Sequence, residues 1–487
     1  MKPIALSEIA RMTGGRLAGE DVVVEALVTD TRAPSAGTGR LFVALKGERF
    51  DGHDHVAAAA RAGVAAALVE RRIHTGPAQA DIAQIIVADT ERALADWAGA
   101  VHRAAHSCTL AITGSNGKTS VKALLLAILE QVGRAYANPG NRNNEIGLPL
   151  AVLDAPADAE FSIYEMGAGK PGDIGYLTAI ARPDVALVNN IAPAHLERMG
   201  SLLGVADTKA AIYDALAADG VAVINADDAF APFFAERAHG RRMIRFGLDS
   251  SADVIARDIR IDADASRFTL VTPEGEAAIT LALPGRHNVR NALAAAALAL
   301  GAGASLDAIA AGLAAAQAVA GRLVARPLGG NAVLIDDSYN ANPGSLAAAI
   351  DLLAEAPGDA WLVLGDMREL GGDAQAMHAE AGRRAKAAGI QRLYALGLLS
   401  AAAAQAFGAG GTEYDSHAAL IAALRDDLAR VGAASAAIPP GGSIGAEAPP
   451  TEAAAGVRVL VKGSRGSAMD KIVTALLSDR EDTTHVA

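Results

Sequence analysis

The sequence predicts an α/β protein built as three domains in series, and three observations carry that reading. The chain has 487 residues, too many for one core at about 100–200 residues per domain. Short apolar runs alternate with helical stretches along most of its length, which implies right-handed crossovers and mostly parallel sheets. Between Asp253 and Leu283 this gives way to closely spaced alternating strands with turn signals, the pattern of an antiparallel appendage.

Residues 1–107 form the first, mixed α/β block. Leu41–Leu45, Ala65–Val69 and Ile85–Val87 read as strands, Val56–Ala62 and Arg92–Ala105 as helices. The second block, 108–322, carries buried strands at 109–113, 161–165, 184–189 and 221–225, and its appendage turns at Asp262-Ala-Asp264 and Pro273-Glu-Gly275. An Ala-rich run around Ala292–Ala304 is too short to span a bilayer and reads as a buried helix. The third block, 323–487, is a cleaner β-α alternation through Val333–Ile335, Trp361–Leu364, Leu393–Leu396 and Val457–Val461, a Rossmann-like, doubly wound pattern. Within it, residues 433–456 are dominated by Ala, Pro, Gly and Glu without periodicity, so they read as a flexible surface insertion.

Composition narrows the function classes. Hydrophobic residues make up 51% and charged residues 20%, enough apolar surface for globular cores. The net charge of −12 disfavours non-specific nucleic-acid binding, while leaving room for local basic sites. A single cysteine, Cys108, excludes an internal disulfide framework and, beside a strand, reads as core packing. No basic segment followed by a long apolar run opens the chain, so a cytoplasmic protein is expected.

The most informative stretch is Ile112-Thr-Gly-Ser-Asn-Gly-Lys-Thr-Ser120, between the strand Thr109–Ile112 and a helix predicted over Val121–Glu130. Such a turn aims backbone N–H groups and a helix N-terminus at one point, which favours a polyphosphate. The strict eight-residue pattern would need Gly at 112, so the form here is the shorter G-x-x-G-K-[ST]. Gly114, Ser115, Asn116, Gly117 and Ser120 would cradle the phosphates, Lys118 would reach the outer ones, and the Thr119 hydroxyl could ligate Mg²⁺.

Other candidates lie on the same sheet edge. Glu165 ends the apolar strand Phe161–Tyr164, well placed for Mg²⁺ or its water, with a solvated strand end as the lesser alternative. His195 follows Val185–Asn189 at the carboxyl edge, and Lys209 opens a helix among apolar neighbours. Taken singly, such a histidine is more often structural and such a lysine more often snorkels. Gly167-Ala-Gly-Lys-Pro-Gly172 fits G-x-G-x-x-G, but Pro171 inside the turn and Asn189-Asn190 in place of an acidic ribose ligand argue against a dinucleotide site.

Together these residues match a family. Thr113–Ser120, Tyr164-Glu-Met-Gly-Ala168, Asn189–Glu197, Lys209, Gly285-Arg-His-Asn-Val-Arg-Asn291, Gly321-Arg322 and Asp336-Asp-Ser-Tyr-Asn-Ala-Asn-Pro343 resemble the Mur ligases of peptidoglycan synthesis. The resemblance runs from about residue 27 to 470. Gly140–Gly147, Glu165–Ala168, Asp336–Asn342 and Leu364–Gly371 are most similar to the branch that adds D-alanyl-D-alanine (D-Ala-D-Ala).

The resemblance implies an ATP-dependent amide ligase acting on UDP-N-acetylmuramoyl-tripeptide and D-Ala-D-Ala, with ATP and two Mg²⁺; separately from it, a monomer without a membrane span is expected. The resemblance also implies that Thr119, Glu165, His195 and a carbamylated Lys209 hold magnesium, and that Lys118, His195, Lys209 and Arg322 serve catalysis. Asn288 and Asn291 resemble adenine-side contacts, Arg322 the γ-phosphate contact, and Asp337 the ribose carboxylate. Ala211 departs from the acidic residue common two positions after the lysine, so local support of the carbamate differs here.

For the UDP-sugar substrate the resemblance points to Thr31, Arg32, Lys46 and Gly47, with Asn141, Asn143 and Asn144 in the 140–147 motif. Lys462-Gly-Ser464-Arg465 follows a strand and is expected to open a helix, a site for a substrate carboxylate. Three rivals stay open: the neighbouring ligase that adds the third amino acid, whose Asp-Asn-Pro-Arg motif is absent here; folylpolyglutamate synthase, which lacks the first module; and a non-catalytic nucleotide switch.

Overall fold

The computed structural model describes residues 1–487 apart from 32–38, 48, 75–81, 194, 263, 330, 356, 437–455 and 479–487. Three larger sheets follow one another along the chain. The first orders Arg16–Ala18, Ala83–Ile86, Ala66–Val69, Arg40–Val43 and Ala26–Val28, parallel except for its first pair. Its helix Thr90–Ala104 starts on Asp89, whose carboxylate accepts from Arg92 N. That helix packs on Gly147–Asp154 and Asp173–Ile180 of the next domain. One continuous core therefore runs from Leu6, Leu94 and Trp97 to Leu177 and Tyr213.

The central sheet is wholly parallel, in the order Ala135–Ala137, Phe161–Glu165, Cys108–Thr113, Val185–Val188, Val221–Asn225, Arg242–Phe246. Cys108–Thr113 and Val185–Val188 are inner strands and almost fully buried, the consequence of helices on both faces. The predicted Ala-rich helix is real: Arg286–Gly301 is buried from Ala292 to Leu300. Beyond it stand the antiparallel strands Ile255–Ile261, Ser266–Thr272 and Gly275–Leu281. Helix Leu306–Ala315 closes this face. Gly312 lets it approach, since a Cβ there would lie 2.3 Å from Ile128 Cα.

The third sheet orders Val324–Gly329, Ala332–Asp337, Val457–Lys462, Asp359–Gly365, Arg392–Leu396 and Gly411–Tyr414, parallel after an antiparallel first pair. Separate cores around Leu346 and Ala403 and around Trp361 and Ile472 cover its two faces, which makes it doubly wound. Among the described residues no helix is long and apolar enough to cross a membrane.

The structure departs from expectation in three places. Helix Lys118–Leu129 begins three residues before the predicted Val121, because Gly117 at φ 78° supplies the left-handed entry. The helix His417–Ala436 continues through 433–436, where an irregular insertion was expected to start; the rest of that segment, and Arg32, lie outside the described residues. Finally, Lys462-Gly-Ser-Arg465 does not open a helix. It enters a 3₁₀ turn, Arg465–Ser467, with Ala468 at φ 48°, and the helix starts only at Asp470.

Candidate active site

A cleft of about 690 Å³ opens where the central and third domains meet. The carboxyl end of strand Cys108–Thr113 delivers the glycine turn, Gly114 to Ser120, into its floor. The turn is fixed from the neighbouring strand's end. Ser115 N donates to Asn190 O at 2.9 Å, Asn116 N to Asn190 Oδ1 at 2.8 Å, and Asn189 Nδ2 to Asn116 O at 2.9 Å. Gly117 has no room for a side chain, because a Cβ would sit 2.6 Å from both Asn189 Nδ2 and Asn291 Oδ1. The first N–H groups of helix Lys118–Leu129 have no intrahelical partners, and the residues that carry them line the cleft, where an anionic acceptor can meet them. Lys118 Nζ folds back on Gly114 O at 2.7 Å.

Glu165 lies beside this helix start and is buried. Its Oε2 accepts from Thr119 Oγ1 at 2.9 Å and its Oε1 from Asn143 Nδ2 at 2.8 Å. Burial pushes the carboxyl up, but Lys118 and then Lys122 hold it below the usual carboxylate range. Among the described residues no cluster of three histidine, cysteine or acidic side chains is arranged for a metal. A magnesium ion does not require one, since it keeps waters and phosphate oxygens and takes one or two protein ligands. Thr119 and Glu165 fit that demand.

Lys209 is buried with its ammonium in the same cleft. Burial, with Lys118 nearby, holds it down to about 7. His195 stands at the rim with φ 54°, its Nδ1 2.5 Å from Glu369 Oε2 of the third domain. Arg322 sits on the chain that joins the two domains. Its Nη2 donates to Thr119 Oγ1 at 3.3 Å, its guanidinium lies 4.1 Å from the Tyr339 ring centre, and its buried Nε has no partner among the described residues. Asn342 Nδ2 crosses the same seam to Asn116 Oδ1 at 2.7 Å.

Asn288 and Asn291 share the first turns of helix Arg286–Gly301. Asn288 is not the cap; Gly285 is, and Asn288 Nδ2 donates back to Pro284 O at 2.8 Å. Asp337 and Lys462 were expected at different ligands but pair with each other at 2.5 Å, both buried. Ser464 Oγ is held by Arg368 N and Ala341 O. Asn143, Asn144 and Lys462 line the cleft, whereas Asn141, Ser464 and Arg465 do not.

The first-domain candidates lie away from this cleft. Lys46 pairs with Glu70, close to buried His53, whose Nδ1 meets Asp51 at 2.5 Å and whose Nε2 accepts from Glu70 N at 2.8 Å. Gly47 begins a short ladder with Phe50, and Thr31 stands in the turn before the undescribed residues. Sequence reasoning missed Lys122, Glu369, Tyr339 and His287, whose buried Nε2 has no partner among the described residues. For Lys122 a signal existed, since it stands four residues after Lys118 on one helix.

Family profiles agree with this architecture: the Mur ligase catalytic domain matches residues 24–102, the Mur ligase middle domain 112–299, and the Mur ligase glutamate ligase domain 321–436. The UDP-N-acetylmuramoyl-tripeptide–D-alanyl-D-alanine ligase of Escherichia coli is 41% identical over 477 residues, 98% of this chain and 99% of that one. The chain belongs to the Mur ligase family. Among solved Mur ligases, MurF from Acinetobacter baumannii superposes with a TM-score of 0.87 at 32% identity, covering 98% of this chain and 99% of its own. MurF ligase from Thermotoga maritima, solved with ADP, gives 0.77 at 26% identity, over 94% and 99%.

Proposed function

We propose that this Mur ligase joins D-Ala-D-Ala to UDP-N-acetylmuramoyl-tripeptide at the expense of ATP, giving the pentapeptide precursor of peptidoglycan. The near end-to-end likeness to the Escherichia coli ligase carries the reading. The cleft supplies what such chemistry needs: a phosphate-shaped turn, cations beside it and a seam able to close.

The peptide's terminal carboxylate attacks the γ-phosphorus, giving an acyl phosphate and ADP; the amine of D-Ala-D-Ala then attacks the acyl carbon and phosphate leaves. Two anions must meet in the first step, so Lys118 and Arg322 offset charge as it accumulates. Arg322 comes from the interdomain chain, and the Asn116–Asn342 contact draws the domains together around the acyl phosphate, excluding water. Asn288 and Asn291 lie on the adenine side, and Asp337, held by Lys462, faces the ribose. Two magnesium ions, when bound, supply further neutralisation of phosphate charge. Thr119 and Glu165 would hold the first, His195 and Lys209 the second.

Lys209 suits its share only in altered form. A buried amine held down to about 7 is substantially neutral near physiological pH, so it can add CO₂ and lose a proton to become a carbamate. Thr31, Arg32, Lys46, Gly47, Asn141, Asn143 and Asn144 are assigned to the UDP-sugar substrate, and Lys462, Ser464 and Arg465 to the third-domain side of the peptide site. A monomer acting in the cytoplasm is the corresponding cellular reading.

The test is ADP release with Mg²⁺-ATP and UDP-muramoyl-tripeptide, with and without D-Ala-D-Ala, and the product identified by mass. Acceptor-dependent turnover to the pentapeptide is expected. Turnover only with a dipeptide substrate and a single amino acid would assign the chain to the neighbouring reaction instead.

A further inference from the structure

Lys122 is a buried ammonium to which the reaction above gives no task. Burying such a charge is costly unless it is paired and hydrogen-bonded, and here it is both. Nζ donates to Asn138 O at 2.7 Å and Gly140 O at 3.3 Å, and stands 3.4 Å from Glu165 Oε2. The same stretch of chain is tied to Glu165 from its other side. Asn138 Oδ1 accepts from Glu165 N at 2.8 Å, Asn138 Nδ2 donates to Glu165 O at 3.0 Å, and Asn143 Nδ2 donates to Glu165 Oε1. Gly167 N, two residues beyond, donates to Asn143 O at 2.7 Å.

Lys122 and Lys118 rise from one helix a single turn apart. One ammonium serves the glycine turn, and the other reaches the segment that ends at Asn143 and Asn144 on the opposite wall of the cleft. We infer that Lys122 is a positioning residue: it locks segment 138–144 and the Glu165 carboxylate in one register, so the helix that shapes the phosphate site also sets the wall facing the UDP-sugar peptide. The inference rests on the assignment of Asn143 and Asn144 to that substrate.

Lys122→Met keeps the length of the side chain and removes its charge and donors. The KM for UDP-muramoyl-tripeptide is expected to rise about tenfold or more, with affinity for metal-free ADP unchanged within about threefold. Amide hydrogen exchange across 140–147 should quicken, and Lys122→Arg should recover most of the KM. A lowered melting temperature with the KM, the ADP affinity and the exchange all unchanged would reduce Lys122 to a structural role and overturn the inference. So would an equal loss of ADP affinity.

Should Lys122→Met fail to fold, Asn143→Ala opens the tie from its half-buried end. Faster exchange at 138–142 then supports the inference and unchanged exchange overturns it. Wild-type protein that neither binds nor turns over the UDP substrate would instead defeat the functional assignment, while exchange in the ligand-free variants still decides the role of Lys122.

Discussion

Around the glycine turn, buried and half-buried side chains answer one another: Asn189 and Asn190 hold Asn116, Thr119 and Asn143 hold Glu165, and Lys122 holds the segment behind them. At the seam with the third domain the contacts are fewer and wetter. His195 and Glu369 meet with 37% and 54% of their side chains exposed, and Asn116–Asn342 is a single bond between half-buried amides. The first region is set before any substrate arrives, as electrostatic stabilisation of a transition state requires. The second is cheap to open, as a cleft that must admit two large substrates requires. Rigidity and mobility are thus divided between the two walls of one site.

Three substitutions sharpen that contrast. Lys118→Ala removes the turn's own cation, and ADP formation is expected to fall by about 10³-fold or more while the UDP substrate still binds. Turnover retained within about tenfold of wild type would show that the turn is not the phosphoryl site. Lys462→Met leaves Asp337 buried without its partner, at a cost of about 3–5 kcal/mol. The melting temperature should therefore drop by roughly 6 °C or more; a change below about 2 °C would mean that Asp337 is satisfied some other way. Glu369→Gln strikes only the exposed seam pair, worth about 1 kcal/mol at most, so kcat/KM should stay within about fivefold. A hundredfold loss would place Glu369 among the fixed machinery and erase the distinction between the two walls.

What was legible in the sequence follows the same division. Inner strands such as Val185–Val188 and Trp361–Leu364 are continuous apolar runs because both faces are covered, and they stand out. Edge strands do not: Arg242–Phe246 exposes Arg242, Met243 and Arg245, and Val324–Gly329 contains Pro327, tolerated because that strand has one free side. Glu165 and His195 were readable as types of residue at or just beyond the ends of strands, and Lys209 as one on a helix. Their partners were not. Glu369 lies in another domain from His195, and Asn342 is 226 residues from Asn116, so only the folded chain reveals that they meet. The helix expected to open at Lys462–Arg465 failed for a local reason, a 3₁₀ turn that no periodicity announces.

The place of Val457–Lys462 inside the third sheet has a consequence for how the protein is made. This strand follows the other five in the chain yet lies between Ala332–Asp337 and Asp359–Gly365. A growing polypeptide that has emerged only as far as residue 436 can build the first two sheets but leaves a gap in the third. Two inner strands then expose unpaired edges, which invite association with other chains. Synthesis of this strand closes the gap and brings Lys462 to Asp337, so that buried carboxylate gains its partner only once residue 462 has been made.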